Sequence, residues 1–342
     1  MKAAFYERNE TIRIGVCEPV APAAGQVQIR VAYCGICGTD MHIFHGKMDK
    51  RVAASQIMGH ELSGTVEAVG AGVTHVKPGD AVTVMPLDWC GECPACRAGH
   101  THICQKLRFL GIDTQGAFQE LWTAPARVVM PLPTGMSLRL GALIEPLAVA
   151  CHDNRLGEVK AGEQVVVLGG GPIGALIGLV ARQRGANVVV SEVNPGRIAL
   201  LHNLGFETIN PKEVDIAQAV EARTGGAGAD VVFEVTAHPS GAATMTQLAR
   251  TRGRIVIVGI FSQPPPVDLF RCFWRELRLI GARVYEAQDF QRAIDLIAAG
   301  TLQLEPLVTK VLDLPDLSAG MHLLEQGGDV MKVLIQCNPE IK

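Results

Sequence analysis

The chain has 342 residues, of which 48% are hydrophobic and 19% are charged, and its formal net charge is −3. This length exceeds what one hydrophobic core usually serves, so we expect two domains. No run of lysine or arginine stands out, which argues against nucleic acid as a partner because phosphate neutralisation needs clustered positive charge.

Neither the start of the chain nor its longest apolar segment shows a targeting or membrane pattern. Residues 1–8 lack an unbroken apolar stretch, and glycine and charge interrupt the longest apolar segment near residues 165–180. The sequence therefore predicts no signal peptide and no membrane span. Ten cysteines without an export signal predict a cytoplasmic protein, in which they serve as metal ligands or buried apolar groups instead of disulfides.

Up to about residue 145 the pattern is one of short strands separated by glycine and proline. Residues 27–33 alternate with the two-residue period of a strand. Residues 62–69 and 80–85 look alike, with a Lys-Pro-Gly-Asp turn at 77–80 between them. This region predicts a β-rich, partly barrelled domain.

From about residue 163 strands alternate with helices. We expect strands at 164–169, 187–192, 207–209, 230–235, 254–260 and 277–284, and helices at 172–184, 197–203, 216–223 and 241–250. Such alternation predicts an α/β unit with a parallel, doubly wound sheet of six strands. A helix at 290–299 and a strand at 330–336 follow, and we expect this tail to return to the first domain.

Four cysteines lie close together in a loop that is rich in glycine and proline: Cys90, Cys93, Cys96 and Cys104. Thiolates at this spacing can enclose one tetrahedral Zn²⁺, whereas the alternatives are two disulfides or plain buried thiols. Four sulfur ligands leave no open position. This zinc, in a lobe at residues 88–106, would therefore order a loop and take no part in chemistry.

A second zinc site could combine Cys37, His60 and Glu145, which come from distant segments. Three protein ligands leave a position for water or substrate, which catalysis requires. Each residue also has an ordinary explanation. Cys34 and Cys37 could be a redox pair, His60 a core histidine, and Glu145 before Pro146 a favourable carboxylate at a helix N-terminus.

The segment Gly169-Gly170-Gly171-Pro172-Ile173-Gly174 follows a strand and opens a helix, which is the context of a dinucleotide-binding loop. Glycine allows close backbone approach, and the helix N-terminus favours the pyrophosphate. Glu192, at the end of the next strand, can accept hydrogen bonds from the adenosine ribose hydroxyls, which favours NAD over NADP. Arg197 could instead stack on adenine or bind a phosphate. The alternative is an ordinary helix start with a surface glutamate.

Over essentially the whole chain, these motifs resemble the zinc-dependent medium-chain dehydrogenases/reductases. The resemblance is carried by residues 35–42, by Gly-His-Glu at 59–61 with its continuation to residue 70, by residues 145–150, by the four-cysteine lobe and by the glycine loop. It implies a GroES-like β-rich catalytic domain over residues 1–147 and 285–342. It also implies an inserted Rossmann NAD-binding domain over residues 148–284.

The resemblance also implies ligands for a catalytic zinc. Cys37 and His60 correspond to direct ligands, while Glu61 and Glu145 correspond to carboxylates that bind the ion directly or through water. Glu145 occupies the place of a cysteine ligand in classical alcohol dehydrogenases, as in the polyol, threonine and butanediol branches. Asp40 resembles the carboxylate that fixes a ligand imidazole.

Further roles follow from the same resemblance. Thr39 corresponds to the hydroxyl that touches the substrate oxygen, and His42 to the outer end of a proton relay. The predicted nicotinamide-facing residues are Val258, Gly259, Ile260, Arg283 and Val284. Val284 replaces an arginine of the sugar-alcohol branch, which argues against sorbitol as the substrate.

The implied reaction is reversible, zinc- and NAD-dependent oxidation of a secondary alcohol on a small polyol, sugar alcohol or vicinal diol. The alternatives are threonine-type oxidation of an amino alcohol, a zinc-free quinone or enoyl reductase, and a non-catalytic protein that responds to NAD. The resemblance further implies a homodimer or homotetramer. The sequence itself does not name the substrate.

Overall fold

The computed structural model describes residues 1–341, and the chain divides into two compact units. The first unit contains Met1–Glu145, Glu286–Gly300 and the chain from Leu307 onward. The second unit contains Pro146–Tyr285 and Thr301–Pro306. The chain thus leaves the first unit two residues earlier than the expected position 147 and re-enters it at residue 286.

One short segment differs from the expected division. Thr301–Pro306 was expected in the first domain but belongs to the second unit. Thr301, Leu302 and Gln303 line a small cavity together with side chains of the helix that begins at Pro172. These local contacts outweigh the position of the segment in the sequence.

Up to residue 156 the strands and helices are β1 (Lys2–Tyr6), β2 (Ile12–Val16), β3 (Gln26–Gly35), α1 (Gly38–Phe44), β4 (Gln56–Ile57), β5 (Glu61–Val69), β6 (Ala81–Val84), β7 (Leu87–Asp88), α2 (Pro94–Arg97), β8 (Arg108–Phe109), β9 (Leu121–Pro125), β10 (Val129–Pro131), α3 (Leu138–Gly141) and α4 (Ile144–Leu156).

The second unit continues with β11 (Gln164–Leu168), α5 (Pro172–Gln183), β12 (Asn187–Ser191), α6 (Pro195–Asn203), β13 (Glu207–Ile209), α7 (Ile216–Arg223), β14 (Ala229–Glu234), α8 (Pro239–Leu248), β15 (Ala249–Ile257), α9 (Leu269–Trp274) and β16 (Arg278–Gly281). The remaining elements are α10 (Ala287–Ala298), β17 (Val308–Asp313), α11 (Leu317–Gln326) and β18 (Lys332–Gln336). Short 3-10 turns lie at Thr101–Ile103, Ala126–Val128, Glu305–Leu307 and Leu314–Asp316.

The main sheet of the first unit has the order β10-β6-β5-β3-β18-β17, and β9 also pairs with β3. β3 is its central strand: it pairs antiparallel with β5, β9 and β18, and most of its side chains are buried. An apolar strand of this kind needs partners along both edges because each unpaired backbone group would be costly to bury. β3 and β5 therefore form the frame on which the neighbouring site is built.

The second unit has one parallel sheet of six strands in the order β13-β12-β11-β14-β15-β16. This confirms the predicted doubly wound architecture. The valines of β11 are buried on both faces, as is typical of a central parallel strand covered by helices. Because the strands run in parallel, the loop after β11 and the end of β12 meet at one edge of the sheet.

Several local details of this unit differ from the sequence-based expectations. The helix expected at 241–250 ends at Leu248, and β15 begins at Ala249 and ends at Ile257 instead of residue 260. The strand expected at 277–284 ends at Gly281, and Val284 has a left-handed backbone with φ of 49°. The helix α9 was not predicted, because all of its residues are exposed or only half-buried and give no amphipathic period. In the described part of the chain, no helix combines the length and hydropathy needed to cross a bilayer.

Candidate metal centres and cofactor loop

Three side chains of the first unit converge on one point. The thiol of Cys37, the imidazole of His60 and the carboxylate of Glu61 each place one ligand atom within 4.8 Å of the other two. Cys37 directly precedes α1, while His60 and Glu61 lie at the start of β5. The pairing of β5 with β3 brings these segments together, since Glu61 lies opposite Gly35.

Asp40 connects two of these residues. Its Oδ2 accepts a hydrogen bond from the backbone N–H of Cys37 at 2.9 Å, which caps α1. Its Oδ1 lies 3.7 Å from Nδ1 of His60, an ion-pair distance that is longer than a hydrogen bond. Asp40 is fully buried, so this carboxylate acts on Cys37 and His60 without competition from bulk water.

The turn before His60 accepts only glycine. Gly59 has φ of 97°, and a Cβ there would lie 2.8 Å from Sγ of Cys34 and 2.9 Å from the ring of Phe118. The ring of Phe109 packs edge-on against the imidazole of His60, with centroids 5.2 Å apart. Cys34 is thus part of the packing behind the turn, whereas Cys37 faces His60.

The electrostatics of this point favour a bound cation. Burial lowers the pKa of His60, but Asp40, Cys37 and Glu145 together raise it to about 10. Nδ1 of His60 and Oδ1 of Asp40 are buried and make no hydrogen bond. Buried polar atoms rarely lack partners unless a water or ion completes them. A thiol, an imidazole and carboxylates are donors that suit zinc.

Glu145 and the predicted relay residues lie on two helices, α4 and α1, and none of them belongs to the group of three converging side chains. Glu145 is buried in the first turn of α4. Thr39 and His42 are half-buried and three residues apart on α1, so their side chains share one face of the helix. Burial, followed by the positive charge of Lys47, lowers the pKa of His42. The neutral imidazole that results can accept a proton.

Sequence reasoning missed Lys332. This residue lies on β18, is almost fully buried, and forms an ion pair with Glu61. Its Nζ also donates a hydrogen bond to the carbonyl oxygen of Ile36 at 3.1 Å. A single charged residue inside the apolar run of residues 330–335 was the available signal, because an unpaired buried lysine is rare.

The four thiols of the second cluster also lie within 4.8 Å of one another. Sγ of Cys104 lies 3.8 Å from that of Cys93 and 3.5 Å from that of Cys90. Zinc–sulfur bonds of about 2.3 Å in a tetrahedron place sulfurs about 3.8 Å apart, so the cluster fits the ion. Backbone N–H groups of Cys96 and Gln105 lower the pKa of Cys93, which favours the thiolate. None of the ten cysteines, all of which lie in the described part of the chain, is joined in a disulfide.

The glycine loop joins β11 to α5 as the sequence predicts. Gly169 has φ of 102°, and Gly171 precedes Pro172 as the N-terminal cap of α5. A Cβ on Gly174 would collide with the carbonyl oxygen of Gly169. These glycines keep the backbone N–H groups at the start of α5 open to a ligand, as a pyrophosphate requires.

The two polar residues predicted for this loop lie beside it. Oε2 of Glu192 accepts a hydrogen bond from the N–H of Gly170 at 2.9 Å, and Oε1 accepts bonds from Val193 and Asn194. Nε of Arg197 is buried without a hydrogen-bond partner. A buried, unsatisfied guanidinium nitrogen next to an anion-binding loop fits a phosphate-bearing ligand.

The other predicted cofactor residues lie on two loops of the second unit. Val258 and Gly259 follow β15, and both backbone N–H groups donate to the carbonyl oxygen of Glu234 at 2.9 Å. Ile260 and Arg283 are exposed. The left-handed backbone of Val284 is unusual for a β-branched residue, and such strain clusters at functional sites.

Comparison with known proteins identifies the family. The model of the alcohol dehydrogenase GroES-like domain matches residues 23–134, and that of zinc-binding dehydrogenases matches residues 172–299. A relative from Pseudoalteromonas atlantica, named 2-dehydro-3-deoxy-L-galactonate 5-dehydrogenase, is 52% identical over 340 residues. That match covers 99% of this chain and all of the relative. The chain belongs to the zinc-dependent medium-chain dehydrogenases.

Other relatives of this dehydrogenase agree. The (R,R)-butanediol dehydrogenase of Neisseria gonorrhoeae is 32% identical, and the match covers 99% of this chain and all of that protein. A solved structure from Sinorhizobium meliloti, described as a zinc-binding dehydrogenase bound to NADP, superposes with a TM-score of 0.92 at 30% identity over 98% of both chains. These similarities confirm the predicted family, fold and oxidoreductase class.

Proposed function

We propose that this dehydrogenase uses NAD and a zinc ion held by Cys37 and His60, with Glu61 beside it, to oxidise a secondary hydroxyl of a sugar acid to a ketone. The convergence of these three side chains on one point carries the proposal. Mixed sulfur, nitrogen and oxygen donors are typical of zinc sites with an exchangeable position. A second zinc, at the four thiols, is structural.

The chain's own residues position the substrate and move its proton. Zinc, when bound, polarises the alcohol oxygen and lowers its pKa, and the nicotinamide accepts the hydride. Cys37 and His60 would hold the ion, and Glu145, whose negative charge contributes to the raised pKa of His60, would act on it directly or through water. Thr39 takes the hydroxyl proton, and the neutral His42 on the same helix face receives it.

The glycine loop, the N-terminus of α5 and Arg197 would hold the pyrophosphate of the cofactor when it is bound. Glu192 accepts hydrogen bonds from the adenosine ribose, so NAD is preferred over NADP. The nicotinamide-facing residues are those after β15 and β16: Val258, Gly259, Ile260, Arg283 and Val284. Glu192→Ala should raise the KM for NAD about tenfold and narrow the preference over NADP. An unchanged ratio of kcat/KM for the two cofactors would contradict this role.

The sugar-acid assignment rests on the 52% identical relative, whose name specifies oxidation at position 5 of an acid. We would measure NAD reduction with 2-dehydro-3-deoxy-L-galactonate, sorbitol, butane-2,3-diol and L-threonine, using protein with two zinc ions per chain. The acid should give the highest kcat/KM. A higher value for the diol or for threonine would move the assignment to that class, and no reduction with any alcohol would favour a binding protein.

We also propose a homo-oligomer in the cytoplasm. α9 exposes Leu269, Phe270, Phe273 and Trp274, and the last strand of the parallel sheet, β16, has no further partner strand among the described residues. An apolar helix beside an open strand edge can pair with the same surface of a second copy. Light scattering should give two or four times 36.5 kDa. Phe273→Glu should lower that mass, whereas Val214→Glu, at another exposed apolar position, should not.

A further inference from the structure

Lys332, the buried lysine beside the candidate catalytic site, takes no step in the proposed reaction. Only 5% of the Lys332 side chain is exposed, and only 1% of the side chain of its ion-pair partner Glu61 is exposed. Transfer of an ammonium group from water to such a place is costly unless a carboxylate compensates it. The pair must therefore be kept together by the fold.

The sheet is built to hold this pair. Glu61 on β5 lies opposite Gly35 on β3, and Gly35 lies opposite Leu334, two residues beyond Lys332 on β18. The two charged side chains thus approach each other from the two strands that flank Gly35. A Cβ at Gly35 would overlap Oε2 of Glu61 and lie 3.2 Å from Cε of Lys332. Because Gly35 has no side chain, it leaves the space that the side chains of Glu61 and Lys332 occupy.

When a metal is bound, Glu61 would consequently have two competing positive partners, Lys332 and the metal ion. One carboxylate lies in ion-pair contact with Lys332, and it also lies within 4.8 Å of the ligand atoms of Cys37 and His60. With Cys37, His60 and Glu145 as the ligands, permanent ligation by Glu61 as well would fill the fourth position, which an alcohol needs. A carboxylate with a second cation beside it has a lower affinity for the metal, because the two positive charges share one negative charge.

We propose that Lys332 is a positioning residue that holds Glu61 back from permanent ligation and so keeps one position of the catalytic zinc exchangeable. This inference rests on the proposed function, because it requires a metal at Cys37 and His60. Control of Glu61 thus falls to a residue of the last strand, β18. Lys332 itself touches neither substrate nor cofactor in this assignment.

The main test is Lys332→Met, which keeps the length of the side chain and removes its charge. Glu61 should then bind the metal permanently, so loss of zinc to a chelator should become at least tenfold slower. With Co²⁺ in place of zinc, the visible spectrum of the variant should no longer change on addition of an alcohol substrate. Lys310→Met, at an exposed position on the adjacent strand β17, is the matched control and should behave as wild type.

Glu61→Gln tests the proposal even where Lys332→Met does not fold. A carboxylate that is held back contributes little to metal retention, so this variant should lose zinc within about threefold of the wild-type rate. The double variant should lose the slowing caused by Lys332→Met, since that effect acts through Glu61. Loss of zinc a hundredfold faster from Glu61→Gln would overturn the inference, as would an unchanged or faster rate in Lys332→Met.

The same measurements separate this inference from the proposed function. If wild-type protein and Cys37→Ala contain the same amount of zinc, the catalytic site itself is wrongly assigned. If Cys37→Ala lacks one zinc ion but Lys332→Met matches wild type in chelation rate and Co²⁺ spectrum, the site stands and only the role of Lys332 fails.

Discussion

The two candidate metal-binding clusters of the first unit are built in opposite ways. The four-thiol cluster draws all of its ligands from the single loop between β7 and β8, and each ligand is of the same kind. The other cluster combines different donors from separate segments, retains buried atoms without partners, and has a buried lysine beside it. A complete and uniform ligand set stabilises a loop. A mixed set on rigid strands leaves room for a reaction.

The sharpest test of this difference is Cys37→Ala. Removal of one of the few protein ligands should abolish metal binding at the mixed site and lower kcat/KM by about 10³-fold or more, because Lewis-acid activation supplies several kcal/mol. NAD binding to the second unit should persist. The control is Cys17→Ala, which removes a half-buried thiol elsewhere in the same unit. Turnover near the wild-type level in Cys37→Ala would refute the ligand assignment.

The complementary change is Cys96→Ser in the four-thiol cluster. One lost ligand should release the structural ion and lower the midpoint of thermal unfolding by on the order of 10 °C, since such ions contribute directly to folding. Residual folded enzyme should keep most of its kcat at low temperature. Calorimetry and assays at 15 and 40 °C would check this, with Cys272→Ser as the control thiol. A loss of kcat without a loss of stability would reverse the two assignments.

Asp40→Asn should have an intermediate effect confined to the mixed site. The amide oxygen can still accept the hydrogen bond from Cys37 that caps α1, but the negative charge facing His60 is removed. Loss of such a supporting carboxylate typically weakens metal affinity or activity 10- to 100-fold. Metal retention against a chelator is the measurement. Asp80→Asn, another aspartate that accepts from a backbone N–H three residues before it, should change nothing.

The smallest expected effect concerns pH. Burial and the charge of Lys47 lower the pKa of His42, so its neutral, proton-accepting form persists below the ordinary range of histidine. Lys47→Met removes one of these causes, so the pKa of His42 should rise and the acidic limb of the kcat/KM profile should move to higher pH. Lys50 is not among the charges that lower the pKa of His42, so Lys50→Met should leave the acidic limb unchanged. A limb that stays fixed in Lys47→Met would exclude His42 from the relay.

The sequence predicted most of the second unit because its signals are local. The strand, the glycine loop and Glu192 all lie within one short stretch, and their periodicity and spacing are sufficient. The four-thiol cluster was predictable for the same reason. Val284 could not be assigned a left-handed backbone, because that conformation depends on tertiary packing and contradicts the intrinsic preference of valine.

The mixed site was only partly predictable. Cys37, His60 and Glu145 were proposed as a set, but the contact of Glu61 with both metal ligands and lysine depends on the pairing of β3 with β5 and β18. Strand order within a mixed sheet cannot be read from the apolar pattern of one strand. Lys332 therefore became interpretable only once the register placed it beside Glu61, whereas the role of Asp40 was already implied by the family resemblance.

The late position of β18 has a consequence for how the protein is made. The second unit is almost continuous and can form its sheet while the ribosome is still translating the rest. The first unit cannot, because Lys332 bonds to a segment 296 positions earlier, and β3, although already paired with β5 and β9, lacks its third partner until β18 is synthesised. A nascent chain can therefore present a finished nucleotide-binding fold while Glu61 still lacks its lysine, so the catalytic centre is the last part of the enzyme to mature.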